Sequence, residues 1–329
     1  MSDKTIMPVT IITGFLGAGK TTLLNEILEH NKNTNFLIIE NEAGNINIDR
    51  ELVRNNDNNN LFELTGGCIC CSLSTELGTV LNSVILSQVK YDYVLIEATG
   101  MADSGQVINM FSGARIQRYF KLDSVVALVD AGSFLKRLAN FSEVRSQVVQ
   151  SDVIIINKCD LLAPEQTKEL EQKITTINPL ARIEQTTFGK IEDIQILNCE
   201  SFSPCNMEES IIDYTNITVV SPRKNHGHSI QTLSYTITGD FDMKRMAMWF
   251  EDFLFMNRDK VLRVKAILSI DDMAHKIILQ SVGNTYHTTQ GSQWLENKNR
   301  ESNIVIIGTD LKDDEIKTSL YKLLVKTTV

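Results

Sequence analysis

The chain has 329 residues, of which 43% are hydrophobic and 22% are charged, and its formal net charge is −9. This composition is typical of a globular protein with two domains, and the acidic balance gives no electrostatic reason to expect binding to nucleic acid or to an anionic membrane. We expect neither a membrane span nor a signal peptide, because no apolar run approaches about 18 residues and the first residues lack an apolar segment.

The first predicted elements enclose a glycine-rich loop. Val9–Thr13 is an apolar, β-branched run typical of a buried strand, and Leu23–Glu29 has the pattern of a helix. The sequence G-F-L-G-A-G-K-T between them fits the phosphate loop G-x-x-x-x-G-K-S/T, whose backbone N–H groups and helix dipole bind phosphate. A turn that binds nothing is the alternative, but the flanking strand and helix favour nucleotide binding. The residues predicted to hold the nucleotide here are Gly14, Gly17, Ala18, Gly19, Lys20, Thr21 and Thr22.

Strand and helix patterns alternate through the rest of the first half. The predicted strands are Phe36–Glu40, Tyr93–Glu97, Val125–Asp130 and Val153–Asn157. The predicted helices are Glu76–Val89, Phe134–Val149 and Pro164–Asn178. This alternation predicts an α/β domain over residues 1–198, with a mostly parallel sheet and helices on both faces. Ligands in such folds bind at the carboxyl edge of the sheet, where the polar strand ends meet.

The pattern changes in the second half of the chain. Residues 199–228 have weak periodicity and are interpreted as a linker. Residues 229–329 then predict a smaller α+β domain, with helices on one face of an antiparallel sheet. Its predicted strands and helices are Ser229–Thr238, Asp242–Phe255, Val261–Ile270, His275–Val282, Asn303–Gly308 and Asp313–Val325.

A nucleobase site is predicted at the end of the strand Val153–Asn157. Asn157, Lys158 and Asp160 form an N-K-x-D turn about 135 residues after the phosphate loop. A carboxylate at this place accepts the two donors of guanine, N1–H and the N2 amine, whereas adenine has no N1 donor. We therefore expect a guanine nucleotide, although N-K-x-D alone is a weak signal and a polar turn without a ligand is the alternative.

Further carboxylates are expected at the same sheet edge. We predict that Lys20 reaches the β- and γ-phosphates. The Thr21 hydroxyl and Glu97 are predicted to hold the same Mg²⁺ ion. These three residues are the predicted catalytic residues. A capped strand end is the alternative role for Glu97. Gly100 permits close backbone approach to the γ-phosphate. Glu40 and Glu42 either orient the attacking water or bind a second metal, and Arg115 and Arg118 are candidate arginine fingers.

Six cysteines, three of them clustered, favour a reducing compartment and hence the cytoplasm. Cys68, Cys70 and Cys71 lie within four residues, and thiolates prefer Zn²⁺ or Cu⁺. Three sulfurs leave a tetrahedral site one ligand short, and Glu40, water or a partner protein is a candidate for the fourth position. Buried structural cysteines and a redox switch are the alternatives.

Together the motifs resemble those of the CobW-type GTPases, a family that includes zinc metallochaperones, and most closely its bacterial YjiA branch. The resemblance is carried by the phosphate loop, Ile39–Glu42, Gly67–Cys71, Glu97–Gly100 and the N-K-x-D turn, and it extends into the second domain. It implies an amino-terminal GTPase domain, a CobW-type carboxyl-terminal domain, and GTP hydrolysis coupled to metal binding. It also implies Cys70 and Glu40 as metal ligands and a cytoplasmic protein. This chain departs from the family pattern at Asn45 and near Gly113, where metal-binding side chains are expected.

We therefore interpret the chain as a Mg²⁺-dependent GTPase that binds Zn²⁺ or a similar transition metal and hands it to a client metalloprotein. We expect no nucleic-acid or membrane partner, and the sequence leaves open whether the chain forms a homodimer. One alternative is a nucleotide-gated regulatory module with a structural metal. The other is a P-loop kinase, against which the N-K-x-D turn argues.

Overall fold

The computed structural model describes residues 6–41, 60–64, 72–87, 89–100, 104–111, 113, 115–215, 230–283, 285–295 and 299–325. The chain divides into two compact units, one of Met1–Thr176 with Ala181–Glu200 and the other of Ile177–Leu180 with Ser201–Val329. Among the described helices, none has the length and apolar character needed to cross a membrane.

The first unit is built on a seven-stranded sheet in which every paired strand is parallel. Its strands in chain order are β1 (Met7–Gly14), β2 (Phe36–Asn41), β3 (Asn60–Leu64), β4 (Tyr93–Glu97), β5 (Phe120–Asp130), β6 (Val153–Asn157) and β7 (Arg182–Gln185). In space their order is β3-β2-β4-β1-β5-β6-β7, which places β1 at the centre. The predicted parallel sheet is therefore confirmed, and the phosphate loop leaves its middle strand.

Helices cover both faces of this sheet. They are α1 (Lys20–His30), α2 (Ser72–Leu86), α3 (Ser104–Met110), α4 (Phe134–Asn140), α5 (Ser142–Gln150) and α6 (Pro164–Ile177). Ile12 of β1 belongs to one core cluster together with Leu23 and Ile27 of α1. Helices α3 and α5 also contact β1. Ile11 and Ile12 point to opposite faces of β1 and are both fully buried, which explains why the inner strands of this sheet are continuous apolar runs.

The sequence predicted one helix over Phe134–Val149, and this prediction was wrong. Phe141 interrupts it with an extended backbone (φ −128°, ψ 119°), so the chain forms α4 and α5 instead. The ring of Phe141 lies 4.7 Å, centroid to centroid, from the ring of Phe15 in the phosphate loop. The break therefore coincides with a contact to a residue far away in the sequence, which the local pattern does not reveal.

The second unit contains a five-stranded antiparallel sheet in the order β11-β10-β9-β12-β8. The strands are β8 (Ile230–Thr238), β9 (Val261–Leu268), β10 (His275–Val282), β11 (Thr285–Gln293) and β12 (Glu301–Thr309). The helices are α7 (Pro204–Thr215), α8 (Met243–Met256) and α9 (Asp313–Tyr321). Helices α8 and α9 pack on one face of the sheet, with Phe250 and Leu320 in a shared core. The α+β architecture is confirmed.

Helix α7 lies inside residues 199–228, which the sequence analysis interpreted as a linker. Ile277 and Leu279 of β10 face the core that includes α8, so by alternation Lys276 faces the other side of the sheet. Glu208 of α7 binds Lys276, with 2.7 Å between Oε2 and Nζ. Helix α7 therefore covers the second face of this sheet, and the expectation of helices on one face only was wrong. The domain boundaries at residues 198 and 229 stay a prediction.

Candidate functional site

The phosphate loop has the backbone geometry that phosphate binding requires. Gly14 has a φ of 139°, and a Cβ atom on it would lie 2.5 Å from the Leu128 carbonyl oxygen. Gly19 caps α1 with a φ of 107°, and a Cβ atom on Gly17 would meet open space. The first turn of α1 contains no acidic residue. The positive end of the helix dipole is thus uncompensated next to an open cradle, which fits a phosphate group.

Lys20 and Glu97 face each other at the start of α1 and the end of β4. The lysine is 8% exposed, and its Nζ lies 3.9 Å from Oε1 of Glu97. Thr21 follows Lys20 in the first turn of α1 and is half-buried. A buried cation and a carboxylate therefore meet beside the loop, and a half-buried hydroxyl follows in the same helical turn. This donor set fits the triphosphate of a nucleotide together with Mg²⁺, and the individual roles of Lys20, Thr21 and Glu97 stay a prediction.

The N-K-x-D turn is hydrogen bonded to the phosphate loop. Asn157 ends β6 and is 2% exposed; its Nδ2 donates to the carbonyl of Ala18 at 2.9 Å. Lys158 has a φ of 61°, and its Nζ donates to the carbonyl of Gly17 at 2.7 Å. Asp160 is exposed. The structure thus joins the two motifs and leaves the Asp160 carboxylate accessible to a base.

Asp130 is a residue of this site that the sequence analysis did not select. It ends β5, and its Oδ2 accepts a hydrogen bond from Nζ of Lys158 at 2.9 Å. Burial raises the pKa of Asp130, but the hydrogen bond and positive charge of Lys158, together with the charge of Arg137 and a hydrogen bond from Ser133, hold that pKa below its ordinary value. Asp130 therefore stays ionised and orients Lys158. The signal that pointed to it was its place as the polar end of a predicted central strand.

Gly100 lies against the phosphate loop, where a Cβ atom would come within 2.6 Å of the Leu16 backbone nitrogen. Gln147 of α5 is 2% exposed, and its Nε2 donates to the carbonyl of Gly100 at 3.1 Å. Arg137 of α4 donates from Nη1 to the carbonyl of Leu16 at 2.7 Å and lies over the ring of Phe15. Sequence reasoning missed both side chains, because their partners lie 47 and 121 residues away.

The candidate arginine fingers Arg115 and Arg118 are exposed and lie beside and within a short 3₁₀ turn, Ile116–Arg118. Neither of them is the arginine that the structure places at the phosphate loop, which is Arg137. The finger role of Arg115 and Arg118 stays a prediction.

Among the residues predicted to bind the transition metal, the structure describes Glu40. Glu40 of β2 is 5% exposed and pairs in register with Glu97 of β4 and with Glu63 of β3. Cys68, Cys70, Cys71 and Glu42 lie outside the described residues, as does Asn45. Within the part of the chain that the structure describes, no group of three or more His, Cys, Asp or Glu side chains is placed to hold a metal. The metal role of Glu40 therefore stays a prediction.

The three cysteines that the structure describes are free thiols. Burial raises the pKa of Cys159 and of Cys199, which keeps both in the protonated form at neutral pH. Cys205 is exposed on α7, and the nearby charge of Glu209 raises the pKa of its thiol. The raised pKa values of all three thiols disfavour the thiolate form that binds metal.

Family models match both halves of the chain. The model of the CobW/HypB/UreG nucleotide-binding domain matches residues 8–185, and that of the cobalamin synthesis protein cobW C-terminal domain matches residues 230–324. The zinc chaperone YjiA of Escherichia coli (strain K12) is 33% identical over 323 residues, which cover 96% of this chain and 98% of YjiA. The zinc-regulated GTPase metalloprotein activator 1 of Schizosaccharomyces pombe is 33% identical over 254 residues, covering 72% of this chain and 62% of that protein.

The fold agrees with that of a solved relative. The crystal structure of the Zn(II)-bound YjiA GTPase from E. coli matches with a TM-score of 0.74 and 26% sequence identity, over 98% of this chain and 100% of that chain. The agreement spans the parallel sheet with its phosphate loop as well as the antiparallel sheet that follows. The chain belongs to the CobW/HypB/UreG family of P-loop GTPases.

Proposed function

We propose that this protein binds and hydrolyses GTP with Mg²⁺, and that its nucleotide state controls the binding of zinc and its transfer to a client metalloprotein. One observation carries the proposal. Glu40, the described candidate for a zinc ligand, is the in-register neighbour of Glu97, which faces Lys20 at the phosphate loop. Paired strands lie about 4.8 Å apart, so a metal held by Glu40 sits beside the nucleotide site.

The nucleotide chemistry rests on charge and positioning. Lys20 binds the β- and γ-phosphates, Thr21 and Glu97 hold Mg²⁺, and the loop glycines admit the phosphates to the backbone N–H groups. Bound Mg²⁺ would neutralise the negative charge that develops on the phosphoryl oxygens. Asp160 accepts the two edge donors of guanine. Turnover without a partner protein is slow, below roughly 1 s⁻¹ on the scale of assisted GTPases.

The zinc site consists of Cys68, Cys70 and Cys71 with Glu40 as the fourth ligand. Strand β3 pairs with β2 in parallel and ends at Leu64, four residues before Cys68. Four residues span at most about 14 Å, which limits the distance between Leu64 and Cys68, the first thiol of the cluster. Three thiolates and a carboxylate suit Zn²⁺. The carboxylate is the ligand that a client side chain replaces during transfer.

Similarity to known proteins supports the transfer step. The relatives that match this chain carry the names zinc chaperone and zinc-regulated GTPase metalloprotein activator. We place the protein in the cytoplasm, because the three clustered thiols bind metal only in a reducing compartment. The smaller α+β domain is the part that we assign to client recognition.

Two variants test the proposal in the full-length protein. Lys20→Ala removes the phosphate-binding cation, and we expect it to abolish phosphate release from GTP, measured in Mg²⁺ with ATP as the comparison nucleotide. Cys70→Ser removes a central zinc ligand, and we expect it to lower the zinc stoichiometry measured by metal analysis after dialysis. Cys205→Ser is the matched control, because Cys205 is an exposed free thiol.

The outcomes separate the proposal from its rivals. Phosphate release from ATP as fast as from GTP would contradict guanine specificity. An unchanged zinc stoichiometry in Cys70→Ser would rule out the thiol site. Tight zinc binding that no nucleotide affects would instead favour a regulatory module with a structural metal.

A further inference from the structure

The turn that follows β7 carries an exposed phenylalanine in a backbone conformation that phenylalanine rarely adopts. Phe188 has a φ of 56° and is 69% exposed. A left-handed backbone is unfavourable for a bulky side chain, and an aromatic residue that is mostly exposed gains little from burial. Both features oppose folding stability. Strain of this kind persists in proteins mainly at ligand sites, so Phe188 calls for an explanation outside folding.

The residues around Phe188 are hydrogen bonded to the turn that recognises the base. The backbone N–H of Gly189 donates to Oδ1 of Asn157 at 3.0 Å. The carbonyl of Thr186 accepts a hydrogen bond from the backbone N–H of Cys159 at 3.2 Å. These two bonds lie on either side of Phe188 in the sequence. They fix the phenylalanine beside the N-K-x-D turn.

The same turn also contacts the start of α1. A Cβ atom on Gly189 would lie 3.4 Å both from the backbone nitrogen of Leu23 and from Cγ2 of Thr22. Thr186 closes the turn with a 2.6 Å hydrogen bond from its hydroxyl to the carbonyl of Lys190. Phe188 therefore sits on a rigid turn between the phosphate-loop helix and the N-K-x-D turn, at the rim of the nucleotide site.

We propose that the ring of Phe188 packs against one face of the bound purine base. The inference rests on the proposed binding of a guanine nucleotide and deepens it. Asp160 contacts the edge of the base and leaves its faces uncovered. Stacking on an aromatic ring stabilises a base whatever its edge pattern, so Phe188 supplies affinity while Asp160 supplies the choice of guanine.

This role predicts which ligands respond to loss of the ring. The base is common to GDP and GTP, so a contact with the base lowers the Kd of both nucleotides by the same factor. A contact with the γ-phosphate would lower the Kd of GTP alone. If Phe188 instead served as a docking surface for a client protein, its ring would change the Kd of neither nucleotide.

The test is calorimetric titration of the full-length protein in Mg²⁺ with GDP and with a non-hydrolysable GTP analogue. For Phe188→Ala we expect the Kd of both nucleotides to rise about tenfold, the size expected for one lost stacking contact. Phe255→Ala is the matched control, because Phe255 of α8 is 68% exposed and lies in the other unit. We expect its Kd values to stay within twofold of the wild type.

A second comparison separates binding from folding. Phe188→Gly and Phe188→Ala both lack the ring, but only glycine adopts a φ near 56° without strain. We expect Phe188→Gly to unfold at a higher urea concentration than Phe188→Ala while binding GDP equally weakly. Loss of affinity without loss of stability shows that the ring serves the ligand.

Two results would overturn this inference while leaving the proposed function intact. One is a Kd for GDP in Phe188→Ala within twofold of the wild type. The other is weaker binding of the GTP analogue alone. A wild-type protein that binds neither guanine nucleotide would instead end the proposed function, and that result comes from the wild-type titration by itself.

Discussion

At the residue scale, the N-K-x-D turn shows how far sequence reasoning reaches. Its spacing from the phosphate loop predicted a shared site, and the hydrogen bond from Asn157 to Ala18 confirms that the two motifs meet. Asp130, Arg137 and Gln147 were not predicted as site residues. Each acts through a contact with a residue at least 28 positions away, and a single sequence does not reveal which distant side chains meet.

The exposed carboxylate of Asp160 leads to a prediction about the choice of nucleotide. In Asp160→Asn the amide oxygen still accepts a hydrogen bond from N1–H, but the amide nitrogen is a donor that faces the N2 amine of guanine, so the charge assistance of both bonds is lost. We expect the Kd for GDP to rise about 100-fold, the effect of roughly 1.4 kcal/mol for each bond. Xanthosine diphosphate has an acceptor in place of the N2 amine, and we expect it to bind the variant more tightly than GDP.

The control for this substitution is Asp193→Asn, which changes the same functional group at an exposed position of the same unit. Its Kd for GDP should stay at the wild-type value. An Asp160→Asn protein that still prefers GDP over xanthosine diphosphate would show that another group reads the base.

At the element scale, strands and helices with a strong pattern were predicted well, and short or edge elements were not. Tyr93–Glu97 and Val153–Asn157 are strands with the predicted bounds, because their buried apolar runs end at a polar residue. Strand β7 was missed, because it is four residues long, lies at the sheet edge and has no fully buried side chain. Helix α7 was missed because its sequence pattern is weak and its place depends on Glu208.

Helix α5 provides a prediction about the phosphate loop. Gln147 holds the Gly100 carbonyl, whereas Gln150, also buried in α5, binds Ser104 and Ser146. Methionine has a similar size and no donor. We expect Gln147→Met to lower kcat for GTP about tenfold with an unchanged Kd for GDP, because the Gly100 peptide loses its orientation. Gln150→Met loses comparable bonds away from the nucleotide and should keep its kcat; an equal loss in both variants would mean that Gln147 only stabilises the fold.

Helix α7 provides a prediction about acid stability. Burial raises the pKa of Glu208, but hydrogen bonds from Lys276 and Ser292 outweigh burial, so that pKa lies below its ordinary value. A carboxylate with a lowered folded pKa stabilises the fold above its unfolded pKa of about 4.3, and the contribution is lost as pH falls through the folded pKa. We expect Glu208→Gln to reduce the free energy of unfolding by about 2 kcal/mol at pH 7.

Urea unfolding between pH 7 and pH 3.5 measures this effect. The difference between wild type and Glu208→Gln should shrink as the pH falls below about 4. Glu209→Gln is the control, because Glu209 is exposed on the same helix and should change stability by less than about 0.5 kcal/mol. A difference that is constant across this pH range would show that Glu208 acts through packing rather than through its charge.

At the scale of the whole molecule, the proposed function requires that the zinc site and the nucleotide site lie at one edge of the parallel sheet. The parallel order β3-β2-β4-β1 brings the strand before the thiol segment, Glu40, Glu97 and the phosphate loop into neighbouring positions. Alternating strands and helices predicted the parallel sheet, but the order of its strands came only from the structure. Because this order brings Glu40 next to Glu97, we expect the binding of zinc and the binding of nucleotide to affect each other.

The affinity of the full-length protein for Zn²⁺ tests this coupling most directly. It should be titrated against a competing chelator in Mg²⁺, with GDP, with a non-hydrolysable GTP analogue and without nucleotide. Lys20→Ala is the control, because we expect it to bind nucleotide weakly, and its own nucleotide Kd is measured alongside. Coupling is reciprocal at equilibrium, and couplings between sites are typically about 5- to 150-fold. We predict that the GTP analogue and GDP give zinc Kd values that differ at least fivefold in the wild type and do not differ in Lys20→Ala. Equal zinc Kd values in all three nucleotide states of the wild type would contradict the account.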